Sequence, residues 1–462
     1  MDSLNTGPVL AAPVPPPKPL PFLQYLRAAQ HNYISAFHED VYKQGIVESK
    51  FVTLRTYIVN EPAGVKHVLL DNESNYVKAA IEHRILGAAL GNGLITSEGD
   101  TWRTHRRMMA PFFDHRSVQI YAPVMTDAAD QLRARWTSKP DGAVIDVADD
   151  MMHLTLEIIS RCMFSSDSDG IAEVVGESSE RYQNSMMLSL LDFLPGLNRA
   201  WGKYKTAQGK RILRDVDAII YRLISSRSQQ NSALTHDDLL QQLVSSQDAE
   251  TGSRMSATDV RDQIFTIFMA GHETTSLALM WTWYLLSQHP AEEEKLYEEL
   301  AKVLAGRPPT YADLAYLPYT RMVIQESMRL YPPVHSLAWR EALKDDEICG
   351  KTIPKGSTVA IVPWVLHRHH SFWIEPDRFL PERFAPHASA KPDRFSYLPF
   401  GFGPRVCIGA AFAMTEAMIC LATLAQHYRL RLLAGHPVET QSLITLRARY
   451  GMKMVLERRM KN

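Results

Sequence analysis

The sequence predicts a mainly α-helical fold with a small β-rich region, an α+β arrangement in which helices dominate. Three observations carry this. From about residue 63 to residue 330, apolar residues recur at helical spacing. Inside that stretch, "MSATDVRDQIFTIFMAGHETTSLALMWTWYLLSQHP" (255–290) is apolar on most faces. It reads as a buried central helix of roughly thirty residues, ~45 Å long. After residue 331 the texture changes: "YPPVHSLAWREALKDDEICGKTIPKGSTVAIVPW" is rich in Pro, Gly and β-branched residues and reads as short strands and turns.

The N-terminus, "MDSLNTGPVLAAPVPPPKPLPF", carries seven prolines between Pro8 and Pro21. It has no basic n-region and no run of ~20 apolar residues, so residues 1–21 are expected to form an extended polyproline arm, with a disordered tail equally open for about the first ten, and not a signal or membrane anchor. "FVTLRTYIVNEP" (51–62) alternates apolar and polar residues and is expected to be a strand pair. The long helix starts at Ser256, whose pairing with Asp259 resembles a capping box, and Pro290 follows its end. An irregular Pro- and aromatic-rich stretch (371–399) leads to a glycine-rich loop and a last apolar helix, about 408–427. No repeat and no linker stands out, so residues 22–462 are expected to form one domain.

Composition narrows the function. Lys+Arg number 50 and Asp+Glu 51, a balance without the basic excess of a nucleic-acid binder. The four cysteines, Cys162, Cys349, Cys407 and Cys420, lie far apart, with no CxxC pair and no disulfide framework, which suits a reducing cytoplasm.

Cys407 lies in "FGFGPRVCIGAAFA" (400–413). Gly401, Gly403 and Gly409 permit positive φ and close backbone approach. A glycine-rich turn can aim N–H groups at one sulfur, and a helix N-terminus just beyond favours thiolate. A thiolate serves as nucleophile or metal ligand. No base is visible nearby, and a single thiolate without companion ligands fits haem iron, which needs one axial protein ligand. Arg405 would then pair with a haem propionate.

"FGFGPRVCIG" resembles the haem-binding loop of the cytochrome P450 family, F-x-x-G-x-R-x-C-x-G, with Phe400, Gly403, Arg405, Cys407 and Gly409 matching. The resemblance extends from the strand region near residue 51 to the end of the chain. It implies the P450 fold, haem b with Cys407 as axial thiolate, and a long helix over the haem. "QESMR" (325–329) is similar to the family's E-x-x-R, with Glu326 and Arg329 on one helix face and Arg383 in "FLPERF" as partner. The implied role is a scaffold that fixes the approach to the Cys407 loop. "GDTWRTHRRMMAPFF" (99–113) resembles the W-x-x-x-R helix, which makes Trp102 and Arg106 propionate contacts. Arg340 in "LAWRE" and Lys78 in "NYVKAA" are further expected propionate contacts. "AGHETTS" (270–276) resembles the oxygen-activation motif, with Ala270, Gly271, Glu273 and Thr274 matching. The resemblance implies that Gly271 lets the helix open locally, Thr274 holds dioxygen and a water, and Glu273 relays protons from solvent.

This pattern implies a monooxygenase acting on a small apolar substrate, with electrons from a separate ferredoxin or flavodoxin-type protein and its NAD(P)H reductase. The expected enzyme is a cytoplasmic monomer with no nucleic-acid partner. The pocket is expected from Phe265 or Met269, Ala270, parts of 79–95 and Val334 to Leu337, with His335 beside it read as a packing or surface histidine. "RTHRR" (103–107) offers either a basic docking patch for an acidic partner or a propionate contact on a solvated helix face. Two alternatives stand against the monooxygenase: a peroxide-driven or isomerising relative, which tends to lose the Glu273–Thr274 pair, and a haem-thiolate sensor, which has no need of it.

Overall fold

Strand pairing begins earlier than the 51–62 pattern suggests. In the computed structural model, which describes residues 10–51, 54–165, 171–186, 197–229, 238–388 and 392–459, Ile46–Phe51 pairs antiparallel with Leu54–Val59. The expected segment supplies only the second strand, and Pro62 already opens the short helix Pro62–Lys66. The first strand is masked in the sequence by its charges: Glu48 pairs with Lys50 at 3.2 Å and with Lys351 at 3.0 Å, while Val47 faces inward. Thr358–Ile361 joins Leu54–Val59 in parallel, and Ala338–Ala342 adds antiparallel to Thr358–Ile361. A parallel neighbour requires a long crossover; here almost 300 residues of sequence separate Val59 from Thr358. Tyr57, Val59, Val359 and Ile361 from this sheet share a core with Phe395 and Leu398, which precede the Cys407 loop.

The chain divides into two compact units. The first comprises Met1–Tyr76, Met125–Leu154 and Thr274–Asn462; the second comprises Val77–Val124 and Thr155–Glu273. The division falls inside the long helix, Ala257–Gln288, which is 32 residues and unbroken. Its start is a formed capping box: the Ser256 hydroxyl accepts from the Asp259 N–H at 3.1 Å, and the Asp259 carboxylate accepts from the Ser256 N–H at 3.0 Å. Pro290 stands just past its end, at the first position of the next helix, Pro290–Leu304, where a missing N–H does no harm.

The first unit holds the sheet, the helices Pro318–Leu330 and Ala410–Ala425, and a second sheet in which Lys453–Arg458 lies between Val144–Asp146 and Tyr428–Leu432. Ala410–Ala425 is buried almost all round, as its apolar composition dictates. Residues 10–21 of the proline-rich arm form neither helix nor strand. The arm is laid against this unit by backbone bonds: the Ala11 N–H donates to the Tyr284 hydroxyl (3.1 Å), and the Tyr331 hydroxyl donates to the Ala11 carbonyl (3.0 Å). Residues 1–9 of the arm lie outside the described residues.

In the second unit the turn after Ala80–Leu90 sits directly on the long helix. The Asn92 N–H donates to Asp262 (2.8 Å) and the Leu94 N–H to Gln263 (2.9 Å). Gly91 takes a φ of +48°, and a Cβ on Gly93 would strike the Thr266 hydroxyl, so "GNG" is required by this close approach.

Candidate active site

Two of the three glycines around Cys407 take the positive φ expected of them, and Gly409, with φ of −87°, does not. Gly401 and Gly403 adopt φ of +72° and +75°. A Cβ on Gly403 would collide with the carbonyl of Leu69, which belongs to a π-helical turn, His67–Asp71. The loop thus closes down on that turn with no space for a side chain. The Cys407 N–H donates to the Phe400 carbonyl at 2.8 Å. The thiol is exposed, two residues before Gly409 caps the buried helix Ala410–Ala425. The helix N-terminus contributes a partial positive charge there. A Cβ on Gly409 would stand in ordinary contact with the sulfur, 4.0 Å away. Among the described residues no group of three or more His, Cys, Asp or Glu could hold a metal ion. A metal bound at this sulfur must bring most of its own ligands, and haem iron fits that donor set. Arg405 stands 3.9 Å from Glu73, and Arg340 lies on the Ala338–Ala342 strand opposite Val359; both belong to the first unit.

The expected clasp is formed in full. Glu326 and Arg329 are completely buried, with Arg329 Nε at 2.6 Å from Glu326 Oε2 and Nη2 at 2.7 Å from Oε1. Arg383 Nε reaches Oε1 at 3.2 Å, and the Leu380 N–H donates to the same oxygen at 2.9 Å. Arg329 also donates to the carbonyls of His367 (2.8 Å), Pro376 (2.6 Å) and Arg378 (2.8 Å), with its guanidinium 4.9 Å from the Trp373 ring centroid. A helix, Pro318–Leu330, is thereby fastened to the irregular stretch that leads to Cys407. Sequence reasoning missed His367. It is fully buried, its Nε2 accepts from the Leu398 N–H at 2.8 Å, and burial with the Arg329 and Arg368 cations pushes it down to about 3.

The long helix is not buried equally all round. From Val260 to Leu286 every residue is buried except Met269, Ala270, Gly271 and Thr274. These four are neighbours on a 3.6-residue helix and include three of the motif positions. Glu273 is buried. The expected local opening at Gly271 is absent: the helix continues through it. Instead, the Thr155 hydroxyl donates to the His272 carbonyl at 2.8 Å, and a Cβ on Gly271 would press on Ile159 at 3.3 Å. In the first unit Thr275 faces Glu416, a buried carboxyl whose titration burial raises far above the ordinary range. His335 proves to be a packing histidine: Nε2 donates to the Leu443 carbonyl at 3.0 Å, and burial lowers it to about 4.

In the second unit the helix Gly99–Met109 buries Trp102 and leaves Arg106 half-buried. Lys78 is turned towards its own neighbourhood, with its ammonium on the Ser97 carbonyl (2.9 Å) and 3.9 Å from Glu98. The "RTHRR" segment is not a free basic patch. Arg107 makes two bonds of 2.8 Å to the buried Asp248 and one of 2.9 Å to Glu250. Arg103 pairs with Asp100 at 2.8 Å, and His105 is buried against Gln263 at 3.0 Å. The partners of Arg107 lie 141 and 143 residues away and cannot be foreseen from local spacing, so this arginine is not the free charge its sequence context suggests.

Comparison with known proteins agrees with this geometry. The family model "Cytochrome P450" matches residues 14–452. The chain is 33% identical to cyclooctat-9-en-7-ol 5-monooxygenase of Streptomyces melanosporofaciens, over 84% of this chain and 83% of that protein. It is 30% identical to pentalenene oxygenase of Streptomyces avermitilis, over 87% of each. The crystal structure of the cytochrome P450DA heme domain superposes with a TM-score of 0.79 at 25% identity, covering 97% of this chain and 98% of that one. The clasp, the glycine-bound cysteine and these likenesses together place the chain in the cytochrome P450 family of haem-thiolate monooxygenases.

Proposed function

We propose that Cys407 supplies the axial thiolate to haem b and that the enzyme hydroxylates a cyclic, largely apolar hydrocarbon or alcohol. The observation that carries the ligand assignment is the exposed Cys407 sulfur, held by a backbone bond to Phe400 at the mouth of a buried helix, with no companion metal ligands among the described residues. The substrate class rests on the apolar, incompletely buried residues Met269 to Gly271 of the long helix and on the substrates named in the two Streptomyces relatives.

Haem, when bound through a thiolate, supplies the oxidising chemistry of O2 cleavage, which the electron-rich sulfur favours. The protein's residues have separate tasks. Arg405 and Arg340, and from the other unit Trp102 and Arg106, would be the residues to hold the carboxylates of the porphyrin edge. Lys78 is the weakest member of that set, because its ammonium already serves Ser97. The partly exposed Thr274 hydroxyl would hold a water and orient its proton into the site, and Glu273 would pass protons to Thr274. Ala270, one turn before Thr274, would leave room beside it, and Gly271 admits Ile159. Glu326, Arg329 and Arg383 fix the Cys407 approach and take no part in proton transfer.

Electrons come from a separate ferredoxin or flavodoxin-type donor. Residues 22–462 act as one catalytic domain in a cytoplasmic monomer. Among the described residues no helix is long and apolar enough to cross a membrane.

The test is the spectrum of the reduced protein under carbon monoxide, compared with Cys407→Ser. The wild type should absorb at ~450 nm, the family's mark of thiolate ligation, and the variant should not. A ~450 nm band that survives in the serine variant would overturn the assignment.

A further inference from the structure

The Glu326 clasp and the Cys407 loop are connected by one imidazole. Arg329 Nη1 donates to the His367 carbonyl at 2.8 Å, and His367 Nε2 accepts from the Leu398 N–H at 2.8 Å. From Leu398 the path runs entirely through backbone. The Leu398 carbonyl accepts from Gly401 at 3.2 Å, and the Phe400 carbonyl accepts from Cys407 at 2.8 Å. Pro399, between them, has no N–H to anchor, so the Leu398 N–H is the donor by which this approach is held. The ring is fully buried and lies 5.2 Å from Tyr397, whose hydroxyl donates to the Gln325 carbonyl, one residue before Glu326.

We infer that His367 is a positioning residue for Cys407: through Leu398 it transmits the rigidity of the Glu326–Arg329 clasp to the loop that presents the sulfur. The inference rests on the reading of Cys407 as axial ligand. The chemistry is specific to a neutral imidazole. Accepting at Nε2 requires the ring proton on Nδ1, and an imidazolium, with N–H on both nitrogens, would repel the Leu398 N–H. Burial and the neighbouring guanidiniums of Arg329 and Arg368 hold the ring in that neutral form. A buried backbone N–H that loses its acceptor is costly, so the segment would shift to find another.

Two variants separate acceptor from bulk. His367→Phe keeps a ring beside Tyr397 and removes the acceptor; His367→Gln places an amide oxygen near the Nε2 position. On the reduced, carbon monoxide-bound holoprotein, the ratio of ~450 to ~420 nm absorbance should fall by about fivefold or more in H367F and stay within about twofold of wild type in H367Q. Amide hydrogen exchange gives a readout independent of the haem spectrum. The Leu398 amide should exchange about tenfold faster in H367F and at the wild-type rate in H367Q.

If H367F fails to retain haem, the wild-type holoprotein still decides the matter. Protection of its Leu398 amide at the level of the core supports the anchor, and exchange at the rate of exposed loop amides overturns it. Wild-type spectra and exchange in H367F, or an H367Q as impaired as H367F, overturn the inference while leaving Cys407 as ligand. A wild type without the ~450 nm band overturns both readings.

Discussion

Two glutamates of the first unit are equally hidden and chemically opposite. Glu326 is 0% exposed and Glu416 is 1% exposed, and both sit on helices. Glu326 accepts from Arg329 through both oxygens, from Arg383 and from the Leu380 N–H. Glu416 faces the Thr275 hydroxyl, and neither of its oxygens meets the geometry of a formed hydrogen bond among the described residues. A carboxylate taken out of water needs cations and donors to remain ionised; without them it keeps its proton. Burial therefore does not tell the charge of a carboxyl group. The partners do, and the two residues should respond to mutation in opposite ways.

The largest effect should come from Glu326→Ala. It leaves two guanidiniums facing an empty space, one of them fully buried, and breaking such a network from one side costs about 3–5 kcal/mol. Denaturant unfolding should show that loss, and little haem should stay bound after gel filtration. A stable, haem-loaded variant would remove the structural distinction between the two glutamates. Arg383→Ala should be milder, about 1–2 kcal/mol by the same unfolding measurement. Its side chain is 12% exposed, and Glu326 keeps both contacts to Arg329 and the one to Leu380. Equal losses in the two variants would mean that Arg383, and not the Glu326–Arg329 pair, is the centre of the clasp.

The same contrast shows what the sequence discloses. Glu326 and Arg329 are legible because three residues on a helix bring them to one face, and a pair of opposite charges there is a local fact. The long helix is legible from its apolar run and its Ser256–Asp259 start, and the Cys407 loop from its glycines. Arg383 could be placed only by likeness to a family, since 57 residues separate it from Glu326. Nothing local marks Glu416, His367 or Asp248. Each is defined by a partner far away in sequence or by the absence of one, and a residue's spacing holds no information about that. The strand Ile46–Phe51 was hidden for a different reason: its Glu48 finds partners in Lys50 of the same strand and Lys351 outside its sheet, so alternation does not appear as an apolar pattern. The segment 103–107 is open to a docking reading, beside that of a propionate contact on a solvated helix face, because the carboxylates that occupy Arg107 come from residues 248 and 250.

The smallest expected effect sharpens the comparison most. Glutamine has the shape of a protonated glutamate, so Glu416→Gln should fold and bind haem like the wild type. The difference should appear as pH rises. Well below the ordinary carboxyl range both the folded and the unfolded chain carry a proton on Glu416, and its burial has no pH-dependent consequence. Above that range the unfolded chain releases the proton, but the folded chain retains it, because burial holds its titration far higher. The unfolded state then binds fewer protons, and wild-type stability falls with a slope of at most about 1.4 kcal/mol per pH unit until the folded group itself ionises. Glutamine has no proton to lose, so the variant should gain on the wild type steadily between about pH 5 and pH 7 in urea unfolding. A difference that stays flat over that range, or reverses, would mean that Glu416 is ionised in the folded protein and has a counter-charge. Glu326 offers the control: Arg329 and Arg383 give it cations that none of the described residues is seen to give Glu416, so Glu326→Gln should lose stability at neutral pH where Glu416→Gln gains it.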